Sequence, residues 1–106
     1  MFFERPVFKM YVKVGCPFCE EARKIILSDL ESSLHLVDVT RQPDLREMIL
    51  HDTGQKTVPA IYIGDEFIGG CDDLKALVDS GEIKMKILIE ENYILRKELM
   101  RLRRSV

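Results

Sequence analysis

The feature that most constrains the fold is a pair of cysteines, Cys16 and Cys19, placed where the hydrophobic pattern of the chain changes. Residues 7–14 are mostly apolar, β-branched or aromatic, which predicts a central β-strand. From Pro17 onward the apolar residues recur at helical spacing, and proline suits the first position of a helix. The cysteine pair therefore lies at the N-terminal end of a helix that follows a strand.

The rest of the pattern continues the alternation of strands and helices. It predicts a strand at 34–39, a helix from Pro43 to Gly54, strands at 60–63 and 66–68, and a helix that Asp72 and Asp73 cap and Gly81 ends. The first strand, the first helix and the second strand are long enough for a right-handed βαβ unit, and the hairpin extends the same sheet. We therefore predict an α/β fold with a four-stranded mixed sheet flanked by helices.

The position of the two cysteines favours redox chemistry. The unpaired N–H groups at the start of a helix favour a thiolate on Cys16, and Cys19 is one turn away on the same side, so that a disulfide can open and close. Two other interpretations are open: the cysteines are purely structural, or they form half of a zinc site that Cys71, His35 or His51 completes. The zinc site is disfavoured because the chain has no second closely spaced pair of ligands.

Composition limits the partners and the location. A net charge of −2 gives no overall cationic field, so we expect no nucleic-acid partner. Three cysteines do not make a secreted disulfide scaffold, the first six residues lack the apolar run of a secretory signal, and no segment approaches about 20 apolar residues. We therefore expect a cytoplasmic protein with no membrane partner.

Three motifs in order resemble the glutaredoxins, and in particular the dithiol class with a Cys-Pro-Tyr/Phe-Cys site. They are Lys-Val-Gly-Cys-Pro-Phe-Cys at 13–19, Thr-Val-Pro at 57–59 and Gly-Gly-Cys-Asp-Asp-Leu at 69–74. The resemblance covers about residues 7–90. It implies a thioredoxin-like fold and a glutathione-dependent thiol–disulfide oxidoreductase, with glutathione as co-substrate and no permanently bound cofactor. Its substrates would be disulfide-containing or glutathionylated proteins.

The same resemblance assigns roles to residues. It implies that Cys16 and Cys19 are catalytic, that Pro59 follows a cis peptide bond, and that the backbone of Val58 binds the cysteinyl part of glutathione. It also places the γ-glutamyl end at the start of the last predicted helix and the glycine carboxylate near basic side chains. The expected glutathione-binding residues are Lys13, Phe18, Arg46, Lys56, Thr57, Val58, Pro59, Gly70, Cys71 and Asp72.

The sequence departs from the family pattern directly after Cys19. Glu20 and Glu21 stand where relatives commonly carry basic or neutral residues. Acidic residues suit the first turn of a helix, but they oppose negative charge on a nearby sulfur. Phe18 replaces the commoner tyrosine and keeps only the aromatic ring, so a modest effect is expected.

Two alternative functions remain open. A thioredoxin-like hydrogen donor would not use glutathione, but Lys13, residues 57–59 and residues 70–72 argue against it. An iron–sulfur cluster carrier would hold its cluster between two subunits through Cys16 and glutathione. Pro17 disfavours the carrier, because cluster-binding relatives usually have a less rigid residue at this position.

The composition changes near residue 82. Residues 83–106 contain seven Lys or Arg and three Glu, whereas the rest of the chain is acidic. We therefore divide the chain into a redox domain, 1–82, and a helical extension, 83–106. Heptad positions in this extension hold Met85, Asn92, Leu99 and Val106 and, on the second position, Leu88, Leu95 and Leu102. The pattern favours a homodimeric coiled coil; the alternatives are packing on its own domain and binding of an acidic partner by the arginine-rich end.

Overall fold

The computed structural model describes residues 5–104 and confirms the predicted alternation of elements. In these residues a π-helical turn, Ile25–Asp29, directly continues the first helix. The remaining elements are β1 (Phe8–Val12), α1 (Pro17–Lys24), β2 (Leu34–Asp38), α2 (Pro43–Thr53), β3 (Ala60–Ile63), β4 (Glu66–Gly69), α3 (Cys71–Ser80) and α4 (Glu82–Arg104).

The four strands form one mixed sheet in the order β2-β1-β3-β4. The central strand β1 is parallel to β2 and antiparallel to β3, and β4 is antiparallel to β3. Because β1 and β3 run in opposite directions, the last residue of β1 and the first residue of β3 lie at the same end of the sheet. The chain segments 13–16 and 57–59 therefore meet at this end.

Both faces of the sheet are buried. One face, with Phe8 and Met10, packs against α1, the π-helical turn, α3 and the start of α4; the other face, with Tyr11, packs against α2. Successive side chains of a strand point to opposite faces, so a central strand covered on both sides is apolar nearly throughout. This arrangement explains why the segment that predicted the strand is mostly apolar.

Three details differ from the sequence-based expectations. The first strand ends at Val12, and Val14 is 78% exposed because the chain turns there through Gly15, whose φ is +76°. The first helix does not keep α-helical spacing to Leu30, because the N–H of Leu30 bonds to the carbonyl of Ile25, five residues earlier. The third helix begins at Cys71, one residue before the predicted cap.

The long helix α4 packs on the domain along one side. Ile83 is 1% exposed, and Ile87 and Ile94 are partly buried against the same core. Arg5 forms a salt bridge with Glu90 at 3.4 Å and lies over the ring of Tyr93. No helix within residues 5–104 is long and apolar enough to cross a membrane. Val106, part of the predicted heptad pattern, lies outside the described residues.

Candidate active site

Cys16 occupies the N-cap position of α1, and Pro17 is the first helical residue. Its Sγ accepts the backbone N–H of Cys19 at 3.2 Å, so the sulfur takes the place of the oxygen that usually caps a helix. The sulfur lies 3.8 Å from the carbonyl oxygen of Val58. Cys16 is half-buried, so a disulfide can approach it from solvent. The sulfur therefore lies at the positive end of the helix macrodipole, beside a backbone N–H donor.

Cys19 has a different environment one turn further along α1. It is only 4% exposed. Burial raises the pKa of its thiol to about 12, and a hydrogen bond with Cys16 adds to this effect. A backbone hydrogen bond with Lys13 acts in the opposite direction and is smaller. Both cysteines are free thiols, and at neutral pH Cys19 is protonated.

An open groove with a volume of about 410 Å³ adjoins the cysteine pair. It brings together seven of the ten residues predicted to bind glutathione. It also contains Gln55 and Asp73, which were not among the predicted glutathione-binding residues. The groove is lined by Phe18, Gln55, Thr57, Val58, Pro59, Gly70, Cys71, Asp72 and Asp73.

One wall of the groove is the segment that leads into β3. The Val58–Pro59 peptide bond is cis, as the resemblance implied. The side-chain amide of Gln55 donates a hydrogen bond to the carbonyl oxygen of Pro59 at 3.1 Å. A Cβ on Gly70 would lie 3.0 Å from the same amide nitrogen, so the absence of a side chain at residue 70 lets the two walls approach closely.

The opposite wall is the start of α3. Gly69 has a φ of +115°, a conformation that glycine adopts readily, and the carboxylate of Asp73 accepts the N–H of Gly70 at 2.9 Å. The side chain of Cys71 belongs to the hydrophobic core. Cys71 therefore presents its backbone to the groove, at a helix N-terminus that favours an anion.

Three predicted basic residues do not line the groove. Lys13 is half-buried and contacts Cys19 through its backbone. Arg46 on α2 and Lys56 before the Thr-Val-Pro segment are both exposed. The role of these three residues in binding therefore stays a prediction.

The two acidic residues that follow Cys19 act at different places. Glu21 forms an ion pair with Lys75, which lowers the pKa of the Glu21 carboxyl and connects α1 to α3. Its charge acts on Cys71, whose thiol pKa is raised first by burial and then by Glu21. Glu20 forms an ion pair with Arg23 at 3.4 Å and contributes to the raised pKa of Cys19. Of the two, Glu20 is therefore the one whose charge acts on Cys19.

The loop that carries Cys16 is attached to the end of β2. The N–H of Val14 donates to the hydroxyl of Thr40 at 3.0 Å. The Thr40 hydroxyl and its own N–H both donate to the carboxylate of Asp38, which lowers the pKa of that carboxyl. This chain of hydrogen bonds fixes the turn between β1 and α1.

Within residues 5–104, no three His, Cys, Asp or Glu side chains are grouped so that they could hold a metal ion. Cys71, His35 and His51 thus do not join the cysteine pair in such a group. The site consists of a dithiol and an adjoining groove.

A dithiol at the start of a helix, beside a cis-proline on a four-stranded mixed sheet, defines a thiol–disulfide oxidoreductase with a thioredoxin-like fold. The family model "Glutaredoxin" matches residues 8–68. Glutaredoxin-1 of Sus scrofa is 35% identical over 83 residues, which are 74% of this chain and 78% of that protein. The chain belongs to the glutaredoxin family of glutathione-dependent thiol oxidoreductases.

Solved structures agree with this assignment. The dithiolic glutaredoxin of Trypanosoma brucei brucei is 31% identical, with a TM-score of 0.69 over 77% of this chain and 87% of that chain. Glutaredoxin C1 of Populus tremula x tremuloides is 25% identical, with a TM-score of 0.73 over 80% of this chain and 86% of that chain. The predicted fold class is therefore confirmed, including the long C-terminal helix.

Proposed function

We propose that this protein reduces glutathione mixed disulfides and protein disulfides, with Cys16 as the nucleophile and Cys19 as the resolving thiol. The observation that carries the proposal is the asymmetry of the pair. Cys16 is half-buried and caps α1 at the edge of the groove, whereas Cys19 is buried with a pKa of about 12. A disulfide can therefore reach Cys16 from solvent, whereas Cys19 is shielded and keeps its proton.

We further propose that glutathione is the molecule that the groove accepts. The carbonyl and N–H groups of Val58 would pair with the cysteinyl part as an added strand does, which brings the glutathione sulfur to Cys16. The α3 N-terminus would hold the γ-glutamyl carboxylate, and Asp72 its ammonium group. The remaining contacts are Phe18 and Thr57 at the groove, with Lys13, Arg46 and Lys56 attracting the glycine carboxylate from outside it.

The reaction with a mixed disulfide needs no external oxidant. The Cys16 thiolate attacks the glutathione sulfur, the disulfide bond breaks, and the substrate leaves as a thiolate that takes a proton from water. A second glutathione thiolate then attacks the glutathione sulfur bound to Cys16. This step releases glutathione disulfide and returns Cys16 as a thiolate.

With a protein disulfide, Cys16 attacks first and forms a mixed disulfide with the substrate. Cys19 then loses its proton and attacks the Cys16 sulfur, which releases the second substrate thiol and leaves a Cys16–Cys19 disulfide. Two of the causes that raise the pKa of Cys19 are its hydrogen bond and its charge repulsion with Cys16. Both are removed when Cys16 is in a mixed disulfide, so the pKa of Cys19 falls when its thiolate is needed. Two glutathione molecules then reduce the internal disulfide.

A coupled assay tests this proposal. NADPH consumption is followed with glutathione, glutathione reductase and bis(2-hydroxyethyl) disulfide, which forms a small glutathione mixed disulfide. We expect turnover that depends on glutathione and is abolished in Cys16→Ser. A rate equal to the uncatalysed one would contradict the proposal. Turnover with a flavoprotein thioredoxin reductase in place of glutathione would favour the hydrogen-donor alternative, and a visible absorption band after anaerobic reconstitution would favour the cluster carrier.

A further inference from the structure

The helix α4 has two apolar faces, and its own domain covers only one of them. The covered face contains Ile83, Ile87 and Ile94. The other face, here called the outer stripe, has large apolar residues that are each between 51% and 59% exposed. The outer stripe consists of Met85, Leu88, Asn92, Leu95 and Leu99.

The two faces point in nearly opposite directions. With 100° of rotation per residue, the mean direction of the outer stripe differs from that of the covered face by about 140°. Packing on the domain leaves the outer stripe exposed, although Leu88, Asn92 and Leu95 line one side of a groove that Arg5, Val7 and Ser33 line on the other. A helix with only one partner would bury one such stripe and leave its other side polar.

We propose that α4 forms a parallel two-stranded coiled coil with α4 of a second copy of this chain. The residues of the outer stripe occupy the a and d positions of about two heptads, with Asn92 at the central a position. A buried asparagine at this position pairs with its equivalent in the other helix and specifies two parallel, in-register strands. A partner without an asparagine at the equivalent position would not form this pair, whereas a second copy of the chain always supplies it.

Charged residues beside the outer stripe would also form pairs between two identical parallel helices. Glu91 and Arg96 occupy the g and e positions that face each other between parallel helices, and both are exposed. Each helix would therefore place one acidic and one basic side chain against the opposite charge of its partner, twice per dimer. An acidic partner would be attracted to Arg96 but repelled by Glu91, so the second copy is the better match.

Anchoring on the domain makes a short coiled coil feasible. An isolated helix of this length is marginal in water because ordering the backbone costs conformational entropy. Here Ile83 is in the core, and the Arg5–Glu90 salt bridge and the Arg5–Tyr93 contact hold the middle of the helix. Association of two such helices has to order side chains but not the backbone.

The dimer would leave both active sites open. Glu90 of α4 lies against Gly64, which follows β3, and pairs with Arg5, which precedes β1. Both contacts are at the end of the sheet opposite the end that carries Cys16 and Val58. Dimerisation is therefore independent of the proposed catalysis, and the failure of one proposal would leave the other intact.

Sedimentation equilibrium of the full chain over a wide concentration range tests this inference. We expect a reversible monomer–dimer equilibrium that Leu95→Glu weakens by about 100-fold or more, because each dimer loses two buried leucines. Met100→Glu is the matched control: Met100 is 52% exposed, against 57% for Leu95, but lies off the outer stripe. It should leave the dissociation constant within about threefold of that of the unchanged chain. A monomer at all concentrations, or equal effects of the two variants, would overturn the proposal.

Charge reversal tests the parallel arrangement. Glu91→Arg places two arginines against each other in each pair and should weaken the dimer. Adding Arg96→Glu to the same chain restores opposite charges between the subunits and should recover the affinity. Tighter association of the Glu91→Arg variant alone would show that the helices are not parallel. All variants should keep the circular dichroism spectrum and the thiol turnover of the unchanged chain, because the altered residues are exposed and far from the groove.

Discussion

The sulfur of Cys16 accepts the backbone N–H of Cys19 at 3.2 Å, although the two thiols of this pair differ sharply in exposure and in chemistry. The contact places the Cys16 sulfur at the start of α1, where the sulfur caps the helix. The same proximity, together with burial, keeps the proton on Cys19. The order of events at the site therefore follows from which sulfur a disulfide can reach and which one keeps its proton.

Alkylation should distinguish the two thiols by pH. With a folded pKa of about 12, Cys19 carries almost no thiolate at pH 7, and its reactivity should increase only as the pH approaches 12. Iodoacetamide should therefore label Cys16 at pH 7 and leave Cys19 and the buried Cys71 unmodified. Mass spectrometry of the digested protein measures the occupancy of each residue. Comparable labelling of Cys16 and Cys19 in the folded protein would contradict the assigned roles.

Replacing the resolving thiol should separate the two proposed reactions. In Cys19→Ser the nucleophile and the groove remain, and the hydroxyl cannot form a disulfide. Reduction of a glutathione mixed disulfide should therefore continue, while reduction of a protein disulfide through the dithiol route should be lost. The two substrates are compared in the same coupled assay. Loss of both activities in this variant, with its fold retained, would show that Cys19 has another role.

Removing one acidic side chain should weaken glutathione binding. Asp72→Ala loses the proposed partner of the γ-glutamyl ammonium, and a charge-assisted hydrogen bond at this exposed site corresponds to about 1.4 kcal/mol, or about tenfold in KM for glutathione. The expected effect on kcat is small. Asp79→Ala is the control, because Asp79 is an exposed aspartate near the other end of the same helix. Equal KM values for the two variants would exclude Asp72 from binding.

The close approach of the two groove walls can be tested with a pair of substitutions. The Cβ of Gly70→Ala would lie 3.0 Å from the amide nitrogen of Gln55, so Gln55 should move and weaken its hydrogen bond to Pro59. We expect a higher KM for glutathione and a lower thermal midpoint. When Gln55→Ala is also present, the clash is absent. Gly70→Ala should then change KM and the thermal midpoint less than it does in a chain that keeps Gln55. Strictly additive effects of the two substitutions would contradict this coupling.

The elements near the cysteine pair could be predicted because their signals are local. The apolar run before Cys16, the proline after it and the helical spacing that follows specify a strand and a helix by themselves. The contact between Cys16 and Val58 joins residues 42 positions apart. No periodicity reports such a contact, and only the resemblance to a family indicated that the two segments meet.

Other parts of the site lay beyond sequence reasoning for different reasons. Gln55 is a single polar residue in a loop, and its importance depends on its distances to Pro59 and Gly70, which the chain pattern does not reveal. Glu21 was expected to oppose negative charge on the site, but it pairs with Lys75 on a different helix. The π-helical turn adds a wider hydrogen-bonded ring without changing the apolar pattern. The roles of Lys13, Arg46 and Lys56 and the division of the chain at residue 82 stay predictions.

The groove presents main-chain atoms at two of its central positions: the carbonyl of Val58 faces the Cys16 sulfur, and Cys71 has its side chain in the core. Recognition through main-chain atoms does not depend on which side chain the residue carries. Evolution is therefore free to exchange Val58 for another residue of suitable shape without losing the contact. A comparison that scores only side-chain identity would underestimate how well such a site is inherited between distant relatives.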